Sequence, residues 1–300
     1  MEFLQVLLPI FGIFILGFIG QKTIGFDTKN ISKMSLYLMS PILVFQTFYT
    51  NQLSVTYLYL GVFLLILCLS IIAVVRLIGF IRSYSTTETC GMILASAFMN
   101  NGNYGTPVVL LVFGAMGLDI AIVLMVLQQL IMCTVGVYYA AKGSPEANGI
   151  KSALRAVVTM PIVYGAILGL TFQLLHITLS PPVEEAVSLV ASATIPTVMI
   201  VLGMQLANIK LKNIAFRKLS FSLSLKLLVS PILAFIIVQF LPIDQMTKQI
   251  LIIMAAMPTA ANTTMYALEY NTDTEFVSSS TLISTCLSLI TLPIVLSVVV

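Results

Sequence analysis

The feature that most constrains this chain is a succession of apolar stretches separated by short polar connections. A helix needs about 20 mainly apolar residues to cross the hydrocarbon core of a bilayer. Stretches of that length predict ten membrane spans, which leave no room for a separate soluble domain. The predicted spans lie near residues 3–20, 31–49, 57–75, 89–113, 118–139, 153–175, 184–207, 219–240, 247–268 and 276–299.

The composition excludes several classes of protein. Charged residues make up 8% of the 300 residues and hydrophobic residues 59%, whereas soluble chains carry about 25% charged residues. A soluble enzyme, a nucleic-acid-binding protein and a disordered regulator are therefore not expected. The net charge of +3 is small, so no polybasic surface for nucleic acid is predicted. The partner that the composition indicates is the lipid bilayer.

The four cysteines are scattered singly through apolar stretches, with no CxxC pair and no histidine beside them. This pattern is typical of small core residues rather than of a disulfide framework or a metal site. The sequence therefore predicts no metal site and no cofactor. The four residues are Cys68, Cys90, Cys133 and Cys286.

The distribution of basic residues predicts the orientation. Alternate connections contain twelve of the 14 basic residues, whereas the other connections contain only Lys248. Cytoplasmic connections are enriched in Lys and Arg, so we expect a protein of the cytoplasmic membrane with both termini extracellular. The connection 269–275 contains no basic residue and does not bear on this choice. The twelve are Lys22, Lys29, Lys33, Arg76, Arg82, Lys142, Lys151, Arg155, Lys210, Lys212, Arg217 and Lys218.

The polar segment 142–151 divides the ten spans five and five. Because five is odd, a second copy of a five-span unit must be inverted relative to the first, as in several secondary transporters. The prediction is a first repeat over 1–141, a cytoplasmic linker over 142–151 and a second repeat over 152–300. Weak echoes, such as Pro41 in span 2 and Pro196 in span 7, support it. Coincidence is the alternative, since proline is common in membrane helices.

Span 4 is interrupted by a polar octet with glycines and a proline. Proline removes a backbone donor and glycine permits non-helical angles, so the helix is expected to break here and restart near Pro107. The positive end of the new half-helix and the neighbouring amides would attract an anion. Alternatively, a kinked helix uses these asparagines to bond its neighbours. The residues in question are Asn100, Asn101, Gly102, Asn103, Gly105 and Pro107.

Span 9 contains a second, weaker polar interruption. Pro258 precedes Asn262 and Thr263, and no glycine is present. We predict that Asn262 and Thr263 contribute to the same binding site. Hydroxyl groups bonding back to an intact helix are an alternative interpretation of the pattern.

Three further polar residues lie within spans. Lys226 in span 8 is a candidate to attract a carboxylate, or alternatively it snorkels to the interface. Gln128 and Gln129 lie midway along span 5, and one of them is expected to face the substrate cavity. The middle third of every span lacks Asp and Glu, and His176 lies in a connection, so a carboxylate proton shuttle is disfavoured. The sequence does not identify an ion whose movement would be coupled to transport.

These motifs resemble the auxin efflux carrier family, whose bacterial members include malate and malonate transporters. The resemblance covers essentially the whole chain and is most specific around Asn100, Gly105, Pro107 and the segment 256–271. It implies an all-α membrane protein of ten spans, with an inverted 5+5 repeat and with broken spans 4 and 9 crossing. It also implies that Asn100 and Gln128 line the substrate pocket and that Pro107 and Pro258 mark the crossover.

The chain departs from the plant members of that family at two places. It lacks their long cytoplasmic loop, so regulation by loop phosphorylation is not expected. Asn101, Gly102 and Asn103 are more polar than the plant pattern, which favours an anion smaller and more hydrophilic than auxin.

The sequence therefore predicts a secondary carrier that moves a small mono- or dicarboxylate by alternating access. One alternative is a sodium- or proton-coupled cation carrier, which would need intramembrane acids that the spans lack. A membrane-embedded enzyme is disfavoured because no HExxH motif and no nucleophile–base pair is evident. A pore or sensor is a third alternative. Carriers of this type are commonly dimers, so a homodimer is compatible with the sequence.

Overall fold

The computed structural model describes residues 2–51, 54–144, 161–209 and 216–300, with only the backbone described for residues 2–7. Within these ranges the chain is helical and contains no strand longer than a single bridge. The helices are α1 (Glu2–Ile24), α2 (Thr28–Met34), α3 (Ser40–Thr50), α4 (Val55–Ile81), α5 (Thr86–Ala97), α6 (Thr106–Ile131), α7 (Val137–Gly143), α8 (Pro161–Leu174), α9 (Pro181–Asn208), α10 (Phe216–Ser224), α11 (Ser230–Gln239), α12 (Gln245–Ala255), α13 (Ala261–Glu269) and α14 (Thr274–Val299).

Five helical segments are long and apolar enough to cross a bilayer, and two shorter ones are also apolar. The five are Val55–Ile81, Asn101–Gly143, Pro181–Asn208, Phe216–Gln239 and Thr274–Val299, and the shorter two are Leu8–Ile24 and Pro161–Leu174. The segment Asn101–Gly143 changes direction at Gly114, whose φ of 69° and ψ of −158° are not helical. Gly114 therefore makes the turn that the sequence predicts between spans 4 and 5.

Several of these segments contain wide π-helical turns. The turn Ser35–Met39 precedes Ser40–Pro41, and the turn Leu225–Val229 precedes Ser230–Pro231. Proline has no backbone N–H and its ring clashes with the preceding turn, so a wider turn accommodates it. The other π-helical turns among the described residues are Asn101–Gly105 and Met132–Gly136.

The chain divides into two compact units, each built from three segments. The first unit contains Met1–Leu58, Gly102–Val126 and Thr159–Asn208, and the second contains Tyr59–Asn101, Leu127–Val158 and Ile209–Val300. Each unit combines segments from both predicted repeats. The repeat boundaries stay a prediction, and most of the predicted linker, residues 145–151, lies outside the described residues together with Arg155, Lys210 and Lys212.

Glycines bring the helices of the first unit into close contact. A Cβ atom on Gly203 of α9 would lie 2.0 Å from the carbonyl oxygen of Phe14, and one on Gly17 of α1 would lie 2.1 Å from that of Ile200. Gly165 of α8 approaches Pro41 of α3 in the same way, at 2.3 Å. Small residues at helix interfaces permit such backbone approach in membranes. The α1–α9 and α3–α8 pairs therefore depend on glycine.

The second unit is organised around α5, whose residues from Cys90 to Ala97 are all buried. The helix begins with a capping box, in which the Ser85 hydroxyl accepts from the Glu88 amide and the Glu88 carboxylate accepts from the Ser85 amide. This reciprocal pair satisfies two amides at the helix start. Glu88 also forms an ion pair with Lys218 of α10. The start of α5 is thereby tied to a second helix.

The cysteines follow the sequence prediction except at one position. Cys68, Cys90 and Cys133 are buried, free thiols, whereas Cys286 of α14 is exposed. Its neighbours Ser284 and Thr285 are buried. The expectation that all four cysteines are core residues is therefore wrong for Cys286, because α14 turns the face carrying its small hydroxyl residues toward the protein.

Candidate substrate-binding site

Two helical segments of the chain are interrupted where the sequence is polar. Helix α5 ends at Ala97, residues 98–100 leave the helical conformation, and a π-helical turn begins at Asn101. Helix α12 ends at Ala255 and α13 begins at Ala261. Both segments are therefore interrupted rather than merely bent.

The two interruptions pair with each other. Met99 and Thr259 form an antiparallel bridge. The amide of Asn100 donates to the carbonyl oxygen of Pro258 at 2.9 Å, and the amide of Ala260 donates to that of Phe98 at 3.1 Å. Backbone groups that leave a helix at membrane depth need protein or water partners. Each interruption supplies such partners for the other.

Thr259 joins the pairing to the last turn of α5 and to one further helix, α14. Its hydroxyl donates to the carbonyl oxygen of Ala95 at 2.6 Å, and its amide donates to the hydroxyl of Ser284 at 3.1 Å. Ala95 lies in the last turn of α5, where carbonyl groups lack partners within the helix. Thr259 is 1% exposed. It therefore satisfies a buried helix end.

The pairing brings helix ends of opposite electrostatic character in the second unit together. Helices α5 and α12 end there, and their last carbonyl groups carry partial negative charge. Helix α13 begins there, and its first amides carry partial positive charge. The arrangement offers both a positive and a negative set of backbone dipoles to a bound solute.

Two buried amide side chains in the second unit have unused donors. Asn100 is 4% exposed, and its Nδ2 has no hydrogen-bond partner among the described residues. Gln128 near the end of α6 is 5% exposed, and its Nε2 likewise has none there. Leaving a buried donor unsatisfied costs about 1–3 kcal/mol. Both groups are suited to donate to an acceptor that is not part of the protein.

Asn262 belongs to a hydrogen-bonded group that links α13 to α6. Its Nδ2 donates to Oε1 of Gln129 at 3.5 Å, and Nε2 of Gln129 lies 3.5 Å from the hydroxyl of Tyr266 and 3.3 Å from Sγ of Cys133. The Oδ1 atom of Asn262 has no partner in the described part of the chain. Gln129 therefore helps to hold α13, whereas the adjacent Gln128 retains an unused donor.

Lys226 is buried on a helix face that contacts both interrupted segments. It is 1% exposed, and its Nζ has no hydrogen-bond partner among the residues described. Four residues before it, Ser222 shares a 2.7 Å hydrogen bond with Ser96 of α5. Four residues after it, Ser230 donates to the carbonyl oxygen of Ala255 at 2.9 Å. Residues at this spacing share a helix face, so Lys226 lies beside the ends of α5 and α12.

The burial of Lys226 excludes the snorkelling alternative, since a snorkelling lysine keeps its ammonium group in water. A buried ammonium group without a partner is costly. It therefore needs an acceptor or a negative charge close by.

The other predicted residues occupy different positions. Asn101 is 1% exposed in the second unit. The hydroxyl of Thr263 donates to the carbonyl oxygen of Ala260 at 2.7 Å, so its proton is used within the first turn of α13. Asn103 is half-buried in the first unit, and three of the predicted helix-breaking residues belong to the same unit. These three are Gly102, Gly105 and Pro107.

Several residues that hold the interruptions together were not found by sequence reasoning. Thr259 joins three segments, and Ser222 and Ser230 tie the helical segment that carries Lys226 to the ends of α5 and α12. A signal for the serines was available, since they lie four residues on either side of the intramembrane lysine. Thr259 had no comparable signal, because threonine is common in membrane helices as a local hydrogen-bond donor.

No group of three or more His, Cys, Asp or Glu side chains that could hold a metal ion occurs in the described part of the chain. The available donors and acceptors are amides, hydroxyl groups and one ammonium group. Such a set can bind oxygen atoms of a small solute by hydrogen bonding and charge.

Comparison with known proteins identifies the family of the chain. A sequence profile described as "Membrane transport protein" matches residues 3–296. An uncharacterized transporter of Methanothermobacter thermautotrophicus is 26% identical over 288 residues, which cover 93% of this chain and 90% of the relative. An uncharacterized transporter of Methanocaldococcus jannaschii is 27% identical over 276 residues, covering 87% and 86%.

A third relative bears a substrate in its name. A "putative malonate transporter" of Rhizobium meliloti is 22% identical over 311 residues, covering 97% of this chain and 93% of the relative. The resemblance noted in the sequence motifs is confirmed, and the chain belongs to the membrane transport protein family, that of the auxin efflux carriers.

Proposed function

We propose that this protein is a secondary active transporter of a small organic anion, a mono- or dicarboxylate, that works by alternating access. The observation that carries the proposal is the set of three buried groups with unused donors: Asn100 Nδ2, Gln128 Nε2 and Lys226 Nζ. All three are N–H donors in the second unit. A carboxylate supplies the acceptor oxygens and the negative charge that this set requires.

The charge balance of the second unit favours an anion over a cation as the substrate. Its described acidic residues lie at helix ends or in connections: Glu88, Asp244, Glu269, Asp273 and Glu275. A cation carrier would need carboxylates or a comparable set of oxygens within the spans. Lys226 would repel a cation, whereas the helix start at Ala261 attracts an anion.

The size of the anion is inferred from the unused donors and from a relative. The relative of Rhizobium meliloti carries malonate in its name, and malonate is a small dicarboxylate. Two amide groups and one ammonium group suit the oxygen atoms of a compact, hydrophilic acid. We therefore propose malonate and malate as the first substrates to test.

The wider architecture belongs to the same proposal. We propose ten spans arranged as a 5+5 inverted repeat, with the segments around residues 98–100 and 256–260 crossing near the bilayer midplane. The backbone pairing of Met99 with Thr259 supports the crossing. Both termini are proposed to be extracellular in the cytoplasmic membrane. Cysteines introduced at Arg82 and His176 should then react with a membrane-impermeant reagent from opposite sides of the membrane.

Uptake of radiolabelled malonate into proteoliposomes tests the function. Wild-type protein should show saturable uptake that unlabelled malate inhibits, because a carrier binds its substrate before each turnover. Asn100→Ala should reduce uptake about tenfold or more, as expected for the loss of a buried hydrogen bond to a charged acceptor. Asn208→Ala is the matched control, since Asn208 is exposed at the end of α9.

Three outcomes would contradict the proposal. Unchanged uptake by a folded Asn100→Ala protein would refute the binding assignment. Flux that does not saturate would indicate a pore. Uptake of inorganic or organic cations without carboxylate uptake would indicate the alternative carrier class.

A further inference from the structure

The second unit contains a cavity that the predicted substrate residues do not line. It has a volume of about 380 Å³. It is lined by the end of α4, by the turn that follows α4, by the first turns of α5 and by α7. None of Asn100, Gln128, Lys226 and Asn262 is part of its wall. The polar residues that line it include Arg76, Ser83, Tyr84, Thr86, Tyr139 and Lys142.

The charged residues described in the wall of this cavity are all positive. Arg76 from α4 and Lys142 from α7 contribute two cations, and no carboxylate lines the cavity among the described residues. Glu88, the nearby acid of the first turn of α5, accepts hydrogen bonds from the Ser85 amide and from Lys218. Its charge is therefore already balanced. Two cations with hydroxyl donors are the combination that binds phosphate oxygens.

The local backbone creates this arrangement. Gly79 lies in the wall, and a Cβ atom there would lie 2.7 Å from Oγ1 of Thr89, so only glycine lets the end of α4 approach α5 this closely. Ser83 takes a left-handed conformation with φ of 53° and reverses the chain. Helix α5 then begins at Thr86, with the positive end of its dipole beside the two cations.

The protein surface beside the cavity is apolar. On the same end of α4, Phe80 is 85% exposed, Ile81 65% and Leu77 59%. Large exposed side chains next to a basic cavity suit a ligand that has both an anionic head and hydrocarbon chains. The connection 82–85 and the end of α7 carry basic residues of the predicted cytoplasmic side, and anionic lipids are enriched in that leaflet.

We infer that this cavity binds the phosphate headgroup of an anionic phospholipid. Arg76 and Lys142 contact the phosphate oxygens, the hydroxyl groups of Ser83 and Thr86 donate to the remaining oxygens, and the acyl chains lie along Leu77 and Phe80. The site is separate from the proposed transport site, so it does not depend on which solute the protein carries. Its occupancy would fasten α4, α5 and α7 to one another at the cytoplasmic interface.

Native mass spectrometry of the full-length protein, titrated with phosphatidylglycerol or with phosphatidylcholine of the same acyl chains, tests the inference. Wild-type protein should bind phosphatidylglycerol more tightly. Arg76→Gln and Lys142→Gln should each weaken that binding about fivefold, the effect of one cation near an anionic surface. Arg82→Gln is the matched control, because Arg82 directly follows α4 but does not line the cavity, and this variant should bind as wild type does.

The variants Arg76→Lys and Lys142→Arg keep the positive charges, so both should retain the preference for phosphatidylglycerol. They show whether the glutamine variants lose that preference because a charge is lost or because the protein is misfolded. A thermal unfolding midpoint that rises with phosphatidylglycerol in wild type, but not in the Arg76→Gln Lys142→Gln protein, would support the site. Equal binding of both lipids by wild type would overturn the inference. Phosphatidylglycerol binding that is unchanged in the double variant would also overturn it. Tight binding of free glycerol phosphate, with no preference between the lipids, would show a site for a soluble anion instead.

Discussion

The hydroxyl group of Thr259 donates a 2.6 Å hydrogen bond to the carbonyl oxygen of Ala95, 164 residues earlier in the chain. The same residue pairs through its backbone with Met99. Two interruptions that would each leave unsatisfied backbone groups in a membrane are thus completed by each other. Asn100, one of the donors proposed to bind a carboxylate, is positioned by this pairing.

Replacing Thr259 by valine removes the hydroxyl group and keeps the shape of the side chain. The Ala95 carbonyl group then lacks its donor, so we expect a loss of about 1–3 kcal/mol in stability. The thermal unfolding midpoint of the protein in detergent measures this loss. Thr259→Ser keeps the hydroxyl group and should remain closer to wild type. Equal midpoints for Thr259→Val and wild type would show that the bond contributes nothing.

Replacing Lys226 by methionine should strongly reduce carboxylate uptake but leave the protein folded. An uncharged side chain of similar length removes a buried charge that has no partner among the described residues, and such replacements are often neutral or stabilising. We expect a reduction of about tenfold or more in the uptake rate, because a hydrogen bond to a charged group is lost. Uptake by proteoliposomes and the unfolding midpoint are the two measurements.

Chemical rescue tests whether the ammonium group itself is required. Lys226→Ala leaves space in which ethylammonium can replace the lost group, so added ethylammonium should restore part of the uptake. Lys226→Met fills the same space and should not respond. Restoration in both variants, or normal uptake by Lys226→Met, would contradict a role for the charge.

Gly165→Ala should destabilise the first unit. The added Cβ atom would lie 2.3 Å from the carbonyl oxygen of Pro41, so α3 and α8 must separate, at a cost of about 1–3 kcal/mol. The matched control is Gly12→Ala in α1, where no atom lies within 4 Å of the added Cβ. Alanine is a better helix former than glycine by about 1 kcal/mol, so the control should be neutral or slightly stabilised. Unfolding midpoints that change equally would refute the packing argument.

The stability of the α5–α10 contact should depend on pH. The hydrogen bond from Lys218, followed by that from the Ser85 amide, holds the pKa of Glu88 below its usual value. A lowered pKa contributes stability that is present above the ordinary carboxyl pKa and is lost as the pH falls through the lowered value. Because both side chains are partly exposed, we expect at most about 1 kcal/mol.

Unfolding midpoints of wild type and Glu88→Gln, measured from neutral to acidic pH, check this expectation. The difference between the two proteins should be largest at neutral pH and should vanish in acid. Lys218→Met should reduce the pH dependence without removing it, since the Ser85 amide still contacts the carboxylate. A difference that grows in acid would contradict the sign.

The sequence located both broken segments but not the residues at which the first one opens. A restart near Pro107 was expected; the chain leaves the helix at residues 98–100, forms a π-helical turn over Asn101–Gly105 and continues as α6 from Thr106, so Pro107 lies in the first turn of that helix. Proline is tolerated in the first turns of a helix, because the amides there have no helical partner. The position of the opening is instead set by the bonds from Asn100 to Pro258 and from Ala260 to Phe98.

By itself, the sequence determined the membrane class, the polar octet of span 4 and the presence of one lysine within a span, because these depend on local composition and on the periodicity of nearby residues. Only the tertiary structure decided which interruption pairs with which, that Thr259 completes α5, and that Ser222 and Ser230 tie the segment carrying Lys226 to both helix ends. Those relationships are hydrogen bonds between segments far apart in the chain, and no local pattern encodes the partner of a distant backbone group.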